Sequence, residues 1–241
     1  MNTNSYSIFG AAISELLENK APLIKSLIIP FITASLLLYL KDLSTLIIFD
    51  IVFLFIAIYL FISMAITIHR IILLGTRSIP PWGLSQLGFR EIWYALHAAG
   101  LCGFLFVLFK YCWPYILSVI STPNIGVWSI AITIVATFVS VLWVYSRFSL
   151  VLPGIAVNQG VSFSLSWEMT RNHQILTLLA AAVFPVTLSI VISATSLFLL
   201  LLPFGKLISN ILFIVTCLLC IAMLSIAYRI IYTEHFKRPL V

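Results

Sequence analysis

The sequence predicts an all-α polytopic membrane protein. Six transmembrane helices are expected as three parallel helix-hairpin repeats, each preceded by a short interfacial helix, with both termini inside. Three observations predict this. The chain is 62% apolar and only 8% charged, where soluble domains carry about 25% charged residues. Six apolar runs are each long enough to cross a hydrocarbon core of about 30 Å as a helix, which takes roughly 20 residues. Ten of the thirteen Lys and Arg side chains fall on alternate connections between those runs.

The runs are Pro22 to Leu40, Leu46 to Ile68, Ile92 to Trp113, Val127 to Ser146, Ile175 to Leu200, and Leu207 to Tyr228. Ahead of the first, residues 8–18 set Ile8, Ala11, Ala12, Glu15 and Leu16 at helical spacing, which reads as an interfacial helix. This stretch is no secretory signal peptide, because it lacks both a basic start and an apolar stretch before Pro22. Pro30, Pro114 and Pro185 fall in or beside the odd-numbered runs. Neighbouring helices in lipid tolerate such breaks, as plain kinks or as the wall of a cavity. The connection from Phe148 to His173 is the most irregular. There Pro153-Gly154 is expected to break the returning helix, Gly160 to allow a second bend, and Ser162 to cap a helix bearing Glu168.

Lys20, Lys25, Arg70, Arg77, Arg90, Arg147, Arg171, Arg229, Lys237 and Arg238 share one side, against Lys41, Lys110 and Lys206 on the other. Basic short loops stay cytoplasmic, so both termini are expected there. The net charge of +6 is then a match for anionic lipid rather than for nucleic acid. Trp82, Trp93, Trp143 and Trp167 fall at the basic side, and Trp113 and Trp128 at the other, as an aromatic belt.

Arg70, Arg147 and Arg229 end the even-numbered runs, each preceded by a glutamate (Glu15, Glu91 and Glu168 respectively). Glu15 precedes Arg229 by almost the whole chain, yet stands 55 residues before Arg70, while Glu91 stands 56 before Arg147 and Glu168 61 before Arg229. A unit of interfacial helix, outgoing span and returning span is therefore expected three times, over about 6–75, 80–155 and 160–235, within one domain of residues 1–241. Three roles stay open for the arginines: snorkelling anchors, ion pairs with Glu15, Glu91 and Glu168 between repeats, or a clamp on lipid phosphate.

Other residues point away from catalysis. Cys217 and Cys220 form a CxxC inside an apolar run, where packing outweighs metal or redox chemistry. His69, His97, His173 and His235 lack metal spacing and read as boundary residues. No Asp or Glu falls deep in a run, so a proton-coupled carboxylate is not expected. Thr137, Ser140, Ser189, Ser193 and Ser225 are the polar residues at depth, as helix packing or as the lining of an axial cavity.

At SerArgPheSerLeuValLeuProGly (Ser146 to Gly154) and SerPheSerLeuSerTrpGluMetThrArgAsn (Ser162 to Asn172) the chain resembles the uncharacterised bacterial YciC-like integral membrane proteins. It is similar also to the membrane domain attached to some glycerophosphodiester phosphodiesterases. The resemblance implies a bacterial inner-membrane protein and brings no catalytic residues or cofactor. The expectation is a non-enzymatic protein that organises membrane lipid or a membrane protein partner, in envelope homeostasis or assembly. The alternative is a transporter or lipid-handling protein with a cavity along the pseudo-threefold axis.

Overall fold

A computed structural model describes residues 7–43, 47–79, 88–121, 126–199, 201–202 and 204–237, and among them every regular element is helical. In chain order these are α1 (Ser7–Glu18), α2 (Lys20–Leu43), α3 (Ile47–Leu74), α4 (Phe89–Ser121) and α5 (Val127–Phe148). They are followed by α6 (Val151–Ala156), α7 (Phe163–Met169), α8 (Gln174–Leu178), α9 (Phe184–Leu199) and α10 (Gly205–Phe236). A π-helical turn, Leu179–Val183, joins α8 to α9 into one span. Six of these helices are long and apolar enough to cross a membrane, the architecture of a multi-pass membrane protein. An even number of crossings returns the chain to the side on which it started. Leu46, Trp82, Leu200 and Arg238 lie outside the described residues.

The helices outrun their apolar runs. α3 continues six residues past Ile68 to Leu74, and α10 eight residues past Tyr228 to Phe236. Helical hydrogen bonds remain favourable once the chain leaves the hydrocarbon, so hydropathy marks the crossing and not the helix end.

α3 and α10 form the centre. Each is buried along its half nearest the arginines, through Met64, Ala65, Ile66 and Ile68 on one and Ala222, Met223, Ala227 and Tyr228 on the other. Small residues here let the helix axes approach closely. α10 also packs on α1, α2 and α9, whereas the α4–α5 hairpin meets the rest near its arginine-bearing end, through α6, α7 and α8. Most of its length is exposed to the surroundings.

Three local expectations need correction. Pro153 and Gly154 do not break the returning span; α5 ends earlier, at Phe148, and both residues sit inside α6. Pro153 occupies the third helical position, where its missing N–H has no partner to lose. The later bend is made by Asn158, at φ 59°, rather than by Gly160. Asn tolerates the left-handed region because its short side chain can bond locally. Finally, Glu91 stands in the first turn of α4 itself, not on a separate interfacial helix. Ser162 does cap α7, its Oγ accepting from Leu165 N at 3.2 Å.

Candidate functional site

Each of the three arginines holds a segment that precedes an odd-numbered span. Arg229, on α10, donates to Glu15 Oε1 of α1 at 2.5 Å and to Ile72 O of α3 at 3.3 Å. One guanidinium thus ties three helices together. Arg70, on α3, donates to Ser78 O at 2.9 Å and to Ala156 O of α6 at 3.3 Å. The Ser78 hydroxyl donates to Gly75 O at 2.7 Å and lies 3.2 Å from Arg70 O, which closes the turn after α3.

Arg147 is the most enclosed of the three, at 3% exposure. Its Nε donates to Thr170 Oγ1 at 3.0 Å and its Nη2 to Trp167 O at 2.5 Å. Ser166 Oγ donates back to Arg147 O at 2.6 Å. The guanidinium lies 4.0 Å from the Trp167 ring centroid and 5.4 Å from that of Trp143. Cation–π attraction and carbonyl hydrogen bonds replace the water that a snorkelling arginine would keep. Two tryptophans read as belt residues are therefore also the walls around a charge.

The glutamates divide. Glu15 pairs with Arg229, whereas Glu91 takes its own neighbour, Arg90, at 2.6 Å. Glu91 Oε2 also accepts from Gly88 N at 3.1 Å, an acidic group satisfying an orphan N–H at the start of a helix. Glu168 is exposed on α7, with no ion pair among the described residues. Arg70 lies close enough to Arg90 and Glu91 to feel both charges, so two guanidiniums and one carboxylate share the start of α4.

One level deeper, α3, α4 and α10 meet in a polar joint that sequence reasoning missed. His69 is fully enclosed, with Nδ1 2.7 Å from Ser225 Oγ and Nε2 3.2 Å from Tyr94 OH. The Ser225 hydroxyl donates to Ile221 O at 2.8 Å. Its proton is therefore committed, so His69 donates from Nδ1 and accepts from Tyr94 at Nε2. That proton order is the reverse of what a histidine-activated serine nucleophile requires. The joint fastens helices. A signal was present, since His69 directly precedes Arg70 at the end of an apolar run, but a boundary position fits it equally well.

Two apolar clefts lie on either flank of the α4–α5 hairpin. One, about 750 Å³, opens between α3, α4 and α10 and is lined by residues including Phe55, Ile62, Glu91, Ala99, Cys102 and Phe213. The other, about 470 Å³, lies between α5 and α9, with Leu105 of α4 at its edge. Ser189 and Ser193, two of the polar residues at depth, line it beside Pro185 and Tyr145. The π turn just before Pro185 widens the helix where the proline ring would crowd the preceding carbonyl groups. Ser140 instead donates to Ala136 O within α5, and Ser225 belongs to the joint.

Among the described residues no group of three or more His, Cys, Asp or Glu side chains converges as a metal site. Cys102, Cys112, Cys217 and Cys220 are free thiols. Comparisons with family models, with curated proteins and with solved structures find no match to this chain.

Proposed function

We propose that this is a non-enzymatic protein of the bacterial inner membrane, with both termini cytoplasmic, that organises membrane lipid at its basic face. The observation that supports this reading is the placement of two apolar clefts immediately beyond an arginine-braced end. In a bilayer, apolar clefts that open sideways fill with hydrocarbon, since water gains no partners there. The basic residues at the same end favour anionic headgroups at about 1 kcal/mol per well-placed charge.

The three arginine contacts fit three parallel repeats over about 6–75, 80–155 and 160–235. Arg70 holds the segment leading toward α4, Arg147 holds α7 ahead of the fifth span, and Arg229 holds α1 ahead of the first. Each arginine then braces the entry to the next repeat, and the third returns to the first. The resemblance to the YciC-like proteins agrees with a bacterial inner-membrane setting.

A second reading, a transporter or lipid-handling protein, draws on one observation. Ser189 and Ser193 give the smaller cleft a polar stripe beside the Pro185 break. Native mass spectrometry of protein gently extracted from its own membrane separates these readings from a scaffold for other proteins. Phospholipid retained at fixed stoichiometry is the expected result. A reproducible protein partner without retained lipid would contradict lipid organisation, and a retained small polar molecule would favour transport.

A further inference from the structure

The larger cleft follows α4 for about the depth of one leaflet. Along α4 it runs from Glu91 to Cys102, a rise of about 16 Å at about 1.5 Å per residue. That is about half of a 30 Å hydrocarbon core. An acyl chain descending from the basic-side surface needs only this depth.

The lining matches such a chain. Phe55, Ile58 and Ile62 line it from α3, Ala95 and Ala99 from α4, and Phe213 from α10. At the shallow end the chemistry changes within one helical turn. Glu91 reaches the cleft and is bonded by Arg90 Nε and Nη2. A guanidinium has five N–H donors, so this contact leaves donors for a further acceptor. With Glu91 neutralising one guanidinium, the neighbourhood that includes Arg70 and Arg90 retains positive charge. Phosphate oxygens suit the planar fork of arginine. Apolar depth and a cationic rim therefore occur in the order in which a phospholipid presents chain and phosphate.

We propose that the α3–α4–α10 cleft and Arg90, which is paired with Glu91 of its lining, form a phospholipid site, with an acyl chain in the cleft and the phosphate accepting hydrogen bonds from Arg90. This deepens the lipid-organising reading and rests on it. The His69–Tyr94–Ser225 joint holds α4 to α3 and α10 near the shallow end of the site.

The test is photo-crosslinking of the full chain in phosphatidylglycerol nanodiscs containing a small fraction of the same lipid with a mid-chain diazirine. Peptide mapping should place adducts mainly on residues 55–62 and 89–103. Ala99→Phe fills the cleft and should lower those adducts about tenfold, the factor for excluding about two methylenes of contact. Arg90→Gln should lower phospholipid retention in native mass spectra, with the fold checked by gel filtration. Adducts spread evenly over all exposed spans, or unchanged by Ala99→Phe, would overturn this site even if phospholipid still co-purifies. Loss of all co-purifying lipid from the wild type would overturn the broader reading first. Displacement of the adducts by inorganic phosphate alone would mark a free-phosphate site and also overturn the proposal.

Discussion

Arg147 illustrates how a cation is kept in an apolar bundle with no acidic partner among the described residues. Two hydrogen bonds to α7 and its following turn, and the face of Trp167, surround a guanidinium that is 3% exposed. Arg147→Ala should therefore cost about 3 kcal/mol, combining charged hydrogen bonds and a desolvated cation–π contact. Arg147→Lys should recover only part, since an ammonium cannot reproduce the fork. Unfolding in mild detergent measures both. The glutamates give the complementary expectation. Glu15→Gln removes the charge that meets Arg229 and should destabilise by up to about 1 kcal/mol, as expected for a partly exposed pair. Glu168→Gln should stay within about 0.5 kcal/mol, because Glu168 is exposed. Any functional defect of that variant would then report a surface contact of α7 and not a folding loss.

At the scale of elements, the close approach of α6 to the strand of chain after Asn158 depends on Gly154. A Cβ there would lie 2.6 Å from Val161 Cγ2. Gly154→Ala should cost about 1 to 3 kcal/mol through overpacking, and Val161→Gly, which removes both the Cγ2 and the Cβ that the added methyl would meet at 2.6 and 2.7 Å, should relieve that overpacking in the double variant. Thermal unfolding of the four proteins closes this cycle. The same region marks the limit of what the sequence revealed. The six spans were legible because about 20 apolar residues have one physical solution in lipid. α1 and the Ser162 cap were legible from spacing and from capping chemistry. The break after Phe148 was misplaced because Pro and Gly were read as breakers, although the first turn of a helix tolerates both. The histidine joint and the clefts depend on how helices from distant segments cross, which hydropathy does not encode. Even the arginines were legible only as positions, since Arg147 finds a carbonyl, a threonine hydroxyl and two tryptophans where an ion pair was one expectation.

For the whole molecule, packing is uneven by design of the sequence. α3 and α10 are buried together at the arginine-bearing end, while α4, α5 and α9 expose most of their length. The α4–α5 hairpin is held at its base and flanked by clefts. On the proposed reading those flanks are completed by lipid in a bilayer, which makes lipid part of what stabilises the fold. The most direct measurement is the thermal stability of delipidated protein titrated with phosphatidylglycerol, against a diacylglycerol with the same chains. The account predicts a saturable stabilisation by the phospholipid, about 2.7 kcal/mol at a hundredfold excess over Kd. The diacylglycerol, lacking phosphate, should stabilise much less, and Arg90→Gln should shrink the difference. Equal stabilisation by both lipids, or none by either, would contradict it.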